Sequence, residues 1–275
     1  MEDKIKVGID GGGTKTAVIV IDDNNIIHKR NFGPGNYLDT INFKNTLEEI
    51  IVYLNSFKSD DIILNAGFAA VLEQRHAKNE IKDRLNNRLK FDSQRINIYG
   101  DSEALINVFL NGNAGIIYIS GTGSVCLGQN KNRKIFRSGG NGYLIDDFGS
   151  GYRFGRLYLK LIFENQIDNR TGYSKDEILK KIYTENPKKF ISNWAPEFFD
   201  VIFKSAIANK YFHDEVSKVY SLFDRVIENL RGDYDKIVLH GSVISNQTIF
   251  SDLIKTKYKN IHINNESLEL LLAKL

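Results

Sequence analysis

The residues best suited to chemistry lie in a few glycine-rich stretches. Asp10-Gly11-Gly12-Gly13-Thr14-Lys15-Thr16 stands between two apolar runs. Three successive glycines let a backbone turn tightly and bring its N–H groups close to a ligand. Those groups, with the Thr14 and Thr16 hydroxyls, suit phosphate oxygens. Asp10 can hold magnesium or its waters beside them. The string is not the GxxxxGK[ST] loop, because a strand rather than a helix follows it. Ser120-Gly121-Thr122-Gly123-Ser124 repeats the donors without the carboxylate. Two such turns facing across a cleft hold one nucleoside triphosphate, and a single magnesium-holding aspartate then suffices. Asp101 ends an apolar run and opens a helix, where a carboxylate either takes a proton from an attacking hydroxyl or caps the helix. The run from Ser138 to Gly151 carries five glycines around Asp146 and Asp147. Such a segment holds acceptors for a polyol on unobstructed backbone, or is a solvated loop with a helix cap. Gly241-Ser242 is a strand-to-helix turn on which an adenine ring can lie flat.

The elements that position these residues follow from hydrophobic spacing. Ile5–Ile9, Ala17–Ile21, Ile26–Phe32, Ile62–Asn65 and Ile96–Tyr99 read as strands, with a polar turn at Asp22-Asp23-Asn24-Asn25. Phe43 to Phe57, Ile81 to Leu89 and Ser102 to Leu110 read as helices. The pattern then restarts at a constant offset: Ile9 falls on Ile119, Asp10 on Ser120, Gly11 on Gly121, Gly13 on Gly123 and Thr14 on Ser124. Gly115–Ser120, Ser124–Gly128 and Lys134–Arg137 repeat the opening strands, which points to a duplicated domain. Gly149 to Arg231 is mostly helical, with a Ser174-x-x-Glu177 capping box and an apolar stripe from Val216 to Leu230 stopped by Gly232. A strand at Lys236–Leu239, a helix near Gln247–Lys257, a strand at Asn260–Ile263 and a final helix at Glu266–Leu275 complete the chain.

Composition narrows the function. The chain has 275 residues, 42% of them hydrophobic, and a net charge of +3. That charge is too weak and too scattered to argue for nucleic acid; Lys180, Lys181, Lys188 and Lys189 read as a solvated helical face. No apolar run is long enough for a membrane helix, and no leader is evident at MEDKIKVGID. One cysteine, Cys126, rules out a disulfide framework and reads as a buried core thiol. The five histidines lack metal-ligand spacing, and Trp194 reads as a core or subunit contact. A cytoplasmic setting is expected.

In order along the chain, these segments resemble the sugar kinase, actin and heat-shock chaperone superfamily, and within it the N-acetylglucosamine kinase group that includes the BadF/BadG/BcrA/BcrD-type ATPases. The segments are IDGGGTKT, ISGTGS, YGDSEAL, GGNGYLIDDFGSGY and HGSVISN. The resemblance implies an α/β fold of two actin-like (ribonuclease H-like) domains with a nucleotide cleft between them. These would span 1–112 and 113–265, with a helical insertion at about 150–232 and the last helix packing back on the first domain. It implies ATP binding by Gly11, Gly12, Gly13, Thr14, Lys15, Thr16, Gly121, Thr122, Gly123, Gly241, Ser242 and Asn246, with Mg2+ at Asp10. Sugar binding is implied for Asn36, Asp101, Ser124, Val125, Gly140, Asn141, Gly142, Tyr143, Leu144 and Asp147, with Asp101 as the base. Relatives often have GGWGxxxGDEGS; here Asn141 replaces the Trp, Asp146 the Gly and Phe148 the Glu. The iron–sulfur activators of the group use paired cysteines, which this chain lacks. The implied activity is ATP-dependent phosphorylation of an N-acetylated amino sugar, N-acetylglucosamine at its 6-hydroxyl, with N-acetylmuramic acid or glucosamine as alternatives. A non-catalytic sugar sensor is the rival of another class. The expected partners are the sugar and ATP, without nucleic acid or membrane, and a homodimer is compatible with this reading.

Overall fold

The computed structural model describes residues 4–22, 25–71, 76–91 and 93–275. The middle of the turn expected at Asp22–Asn25 lies outside them. The chain forms two units, Met1–Asn111 with Glu266–Leu275, and Gly112–Asn265.

The first unit contains β1 (Lys4–Gly11), β2 (Thr16–Asp22), β3 (Asn25–Phe32), α1 (Thr40–Leu54), β4 (Asp61–Phe68), α2 (Ala77–Arg88), β5 (Ser93–Gly100) and α3 (Asp101–Leu110). Its sheet has the order β3-β2-β1-β4-β5. β1 to β3 are antiparallel, and β4 and β5 run parallel to β1. Side chains alternate across a strand. Val18 and Val20 of β2 therefore join Leu47, Ile50 and Ile51 of α1 in one core, while Ile19 and Ile21 meet Ala273 in another. Ala273 belongs to the last helix, Leu268–Lys274, whose backbone lies directly on β1. A Cβ at Gly8 would stand 1.8 Å from the Glu269 carbonyl oxygen and 2.6 Å from the Ala273 nitrogen. The buried Asn65 amide donates to the Leu272 carbonyl at 3.1 Å and accepts from Asn97 at 2.9 Å.

The second unit contains β6 (Gly115–Ser120), β7 (Ser124–Gln129), β8 (Ile135–Ser138), α4 (Gly151–Phe163), α5 (Lys175–Thr184), α6 (Pro187–Ser192), α7 (Ala195–Val201), α8 (Ala206–Asn229), β9 (Lys236–His240), α9 (Ser242–Asn246), α10 (Thr248–Lys257) and β10 (Ile261–Asn264). The last helix of the chain is α11. The sheet order β10-β9-β6-β7-β8 repeats that of the first unit strand for strand. The helices α4 to α8 enter between β8 and β9, and their apolar faces bury Phe154, Phe198, Phe212 and Phe223 against Tyr118 and Phe250. Ser174 and Glu177 exchange the two hydrogen bonds of a capping box. Beyond α8, Arg231 and Gly232 both take left-handed conformations. The helix expected from Gln247 starts at Thr248 and is preceded by the short α9. Trp194 is half-buried among the rings of Tyr158, Tyr173 and Phe190.

The duplicated hairpins differ in one respect from the residue-for-residue match. Gly11 pairs with Thr16, whereas Ser120 pairs with Ser124, so the first loop is longer by one residue. Thr14 therefore sits in a loop, while Ser124 is the first, buried residue of a strand.

Gly8→Ala is expected to destabilise the protein by about 1–3 kcal/mol, because a rigid helix backbone must move to admit one methyl group. Chemical denaturation checks this, and an unchanged midpoint would contradict the close seating of α11.

Candidate functional site

In the first unit the chemistry gathers at the C-terminal ends of β1, β4 and β5. Asp10 is in register with Gly67, and Gly67 with Tyr99, so Asp101 lies just beyond the same row. Asn36 bridges Ala69, just past β4. The glycine turn is held by backbone. Gly11 and Gly12 accept hydrogen bonds from the Ala69 and Gly35 N–H groups at 2.9 and 2.8 Å, and the Gly12 N–H donates to Lys15 O at 2.9 Å. A Cβ at Gly11 would meet the Phe68 ring at 2.3 Å, and one at Gly35 would meet Gly11 Cα at 2.5 Å. Gly13 has nothing within 4 Å of a Cβ position, and Gly13, Thr14 and Lys15 are exposed. The tip is thus free for a ligand while its base is locked.

Thr16 departs from expectation. It is fully buried, and its hydroxyl, which has no hydrogen-bond partner, lies against Gly35. Pairing with Gly11 puts it in the sheet, so it offers nothing to a phosphate at the tip. Asp101 is the first residue of α3 rather than its cap. Gly100 takes the cap position, where its N–H donates to the Glu103 carboxylate at 3.2 Å. Asp101 is exposed, and its Oδ1 accepts from the Ser102 N–H at 2.7 Å. The Asn36 side chain accepts from the Leu38 N–H at 3.0 Å. Burial pushes the Asp10 carboxyl up to about 6; Glu269 and Asp101 push the same way and Lys15 opposes them.

In the second unit one hairpin organises the site. Tyr118 and Ser124 donate their hydroxyls to the Phe148 carbonyl at 2.8 and 2.7 Å, and Ser120 donates to the Gly149 carbonyl at 2.6 Å. The serine hydroxyls that suit a ligand by sequence are therefore engaged within the protein. Gly151 and Tyr152, at the start of α4, donate to the Gly121 and Thr122 carbonyls at 2.7 and 3.2 Å. Gly241 has φ +107°, and its Cα lies so close to Ser120 that a Cβ would stand 2.5 Å from the Ser120 carbonyl oxygen. Only glycine meets both conditions. Around this junction lies an open cavity. Gly121, Thr122, Ser242 and Asn246, four of the residues expected from sequence to bind ATP, line it. Gly151 and the Ser192–Pro196 corner between α6 and α7 line it too. No sequence motif marks that corner.

The glycine-rich segment is tightly wound, with left-handed backbone at Gly139, Gly140, Gly142, Asp147 and Gly149. Val125 packs against Gly140, where a Cβ would come within 2.8 Å. Asp146 closes the loop on itself, accepting from the Asn141 backbone and side-chain N–H groups, both at 2.7 Å. Tyr143 stands on Tyr152, while Leu144 is 81% exposed at the loop tip. Asp147 is buried, and its Oδ2 lies 3.4 Å from the Lys188 ammonium. Local spacing puts Lys188 on a solvated face; the fold carries it to the second glycine turn instead. Below the segment, a buried ion pair fixes its exit. Glu215 accepts from Arg153 Nε and Nη2, each at 2.9 Å, and from the Gly149 N–H at 3.0 Å.

Among the described residues, no group of three or more His, Cys, Asp or Glu side chains can hold a metal ion, and no helix is long and apolar enough to cross a membrane. Cys126 is fully buried, and burial pushes its thiol up.

The model of the BadF/BadG/BcrA/BcrD ATPase family matches residues 7–268. The chain belongs to this family. ATP is therefore its nucleotide. An N-acetyl-D-glucosamine kinase of Dictyostelium discoideum is 26% identical over 302 aligned positions, covering 98% of this chain and 94% of the relative. An N-acetylmuramic acid/N-acetylglucosamine kinase of Clostridium acetobutylicum is 28% identical over 295, covering 96% and 95%. The crystal structure of a protein assigned as an N-acetylglucosamine kinase of Porphyromonas gingivalis superposes with a TM-score of 0.73 at 17% identity, covering 98% of this chain and 97% of that one. The two-unit α/β fold is shared with actin-like sugar kinases.

Asp10 gives a sign-determined expectation for this family member. A carboxyl whose folded value is raised destabilises the fold where it must ionise: full stability is present below its unfolded value near 4, and it is lost as pH rises through about 6. In metal-free buffer at pH 7.5, Asp10→Asn should therefore raise Tm by about 2–4 °C. The gain should vanish toward pH 4. Thermal melts across that range check this, and a lower Tm at pH 7.5 would contradict it.

Proposed function

We propose that this protein transfers the γ-phosphoryl group of ATP to the 6-hydroxyl of an N-acetylated amino sugar, N-acetylglucosamine first. The observation that carries the reading is similarity over nearly the whole chain to two amino-sugar kinases. The geometry agrees with it: exposed glycine-turn tips, a lined cavity at the second turn, and an exposed carboxylate at the end of β5.

In the proposed reaction the sugar oxygen bonds to the γ-phosphorus. The bond from that phosphorus to the bridging oxygen breaks, ADP leaves, and the hydroxyl proton passes to Asp101. Gly13, Thr14 and Thr122, at the exposed tips, contact phosphates, while Ser242 and Asn246 lie beside the adenosine. Asn36, Val125 and Asp147 bind the sugar. Asp10 would hold magnesium, directly or through waters. The fit is chemical: a partly buried oxygen ligand stands in a field already made negative by Glu269 and Asp101. Bound there, the ion supplies charge neutralisation to the phosphates. ATP as co-substrate supports a cytoplasmic setting.

N-acetylmuramic acid is the second substrate in this reading. Asn141 stands where relatives often carry a bulky Trp, and it folds back onto Asp146. The room this leaves suits a lactyl group on the 3-oxygen.

Asp101→Asn should lower kcat by about 10²–10⁴ while leaving KM for ATP unchanged. Retention of more than a tenth of the wild-type rate would leave Asp101 as a helix-start residue only. A coupled-ADP assay should give N-acetylglucosamine a kcat/KM at least about 10²-fold above glucose, since buried polar groups reject an analogue that leaves them unpaired. Equal efficiency on glucose would sink the amino-sugar reading, and no turnover on any amino sugar would favour a non-catalytic sensor.

A further inference from the structure

Lys188 lies on α6, far beyond Asp147 in the chain. No motif draws attention to it, yet the fold places its ammonium at a junction of the second unit. Nζ lies 3.4 Å from Asp147 Oδ2 and 3.0 Å from where a Cβ on Gly123 would be. The Tyr143 ring centroid is 5.9 Å away. The Lys188 side chain is 35% exposed and that of Asp147 only 4%. Three features of Asp147 show that this carboxylate is held against resistance. It is nearly fully buried. Its backbone takes φ +56°, which an L-residue adopts at a cost. Its Oδ2 makes no hydrogen bond within the protein. The oxygens beside it are satisfied, since Asp146 takes the Asn141 and Asp147 N–H groups and the Phe148 and Gly149 carbonyls take three hydroxyls. A buried acceptor left open beside satisfied neighbours is free to take a ligand donor. A buried carboxylate also needs a cation near it, and Lys188 is its ion-pair partner among the described residues. The 3.4 Å separation leaves the oxygen able to take a further donor.

We infer that Lys188 is a positioning residue for sugar recognition: its ammonium holds the Asp147 carboxylate in place at the Gly123 turn, with Oδ2 open to a hydroxyl or amide N–H of the amino sugar. This rests on the amino-sugar reading above. Gly123 belongs to the same device, because any side chain there would displace either the ammonium or the carboxylate.

The test measures N-acetylglucosamine binding by calorimetry and steady-state kinetics on the full chain, for wild type, Lys188→Met, Lys188→Arg, Asp147→Asn and the Lys188→Met/Asp147→Asn pair. Lys188→Met should raise the sugar Kd and KM about tenfold or more, with kcat and KM for ATP within about threefold. Lys188→Arg should recover most of the loss. The double variant should be no worse than Asp147→Asn alone, since with the carboxylate gone the cation has nothing to hold. An unchanged sugar Kd in Lys188→Met overturns the inference and returns Lys188 to a solvated face. Equal loss in kcat and both KM values with a lowered Tm, unrescued by arginine, overturns it in favour of a packing role. Wild-type protein that binds N-acetylglucosamine without turnover removes the kinase reading but leaves the Kd comparison in force. Wild-type protein that binds no amino sugar overturns both.

Discussion

Three hydroxyl groups on one hairpin decide where the chemistry of the second unit lies. Tyr118, Ser120 and Ser124 donate to two successive carbonyls, those of Phe148 and Gly149. Carbonyls buried at this depth would be costly if left unpaired, on the order of 1–3 kcal/mol each. The glycine-rich segment therefore cannot leave the hairpin without stranding both. Everything nearby follows. Gly149 takes a left-handed turn and hands its N–H to Glu215. Ser150 caps α4, and the first N–H groups of α4 grip the turn at Gly121 and Thr122. Asp147 is left buried with one oxygen open, and Lys188 comes to meet it.

The first unit reaches a similar end by different means. Its turn is locked by interleaved glycines, Gly11 against Gly35, and by carbonyls that accept from Gly35 and Ala69. Backbone takes the place of the hydroxyl clamp, and the loop is one residue longer, so its tip stands clear of the sheet. The carboxylates Asp10 and Asp101 stand at the ends of β1 and β5, while the lined cavity belongs to the second turn. That asymmetry matches the division of labour in the proposed reaction. The two hairpins share their strand pairing and differ in how each turn is held and in the length of its loop.

The architecture was largely legible in the sequence because it is written in local spacing. Strand periodicity and the Ser174–Glu177 cap depend on neighbours within a few positions, and the strands and helices given bounds from sequence appear close to those places. The two sheets share one strand order, as the repeat of Ile9–Thr14 at Ile119–Ser124 suggested. What failed to show was pairing between residues far apart in the chain. The Ser120 and Ser124 hydroxyls look like phosphate donors until Phe148 and Gly149 arrive to accept them. Thr16 looks equivalent to Thr14 until strand pairing buries it. Lys188 looks like one of four lysines on a solvated helical face, and the Ser192–Pro196 corner carries no motif. Asp146 and Asp147 are adjacent and alike in sequence, yet one closes its own loop and the other faces a lysine. Partners brought in from distant elements make that distinction, and no local pattern encodes them.

In this account the two glycine turns and Asp101 serve transfer of phosphate to a sugar hydroxyl rather than to water. Phosphorus NMR on a reaction containing the protein, ATP, magnesium and N-acetylglucosamine tests it most directly. One phosphomonoester should form per ADP, with its phosphorus coupled to the protons on carbon 6 of the sugar. ADP accompanied by free inorganic phosphate and no sugar ester would contradict the claim.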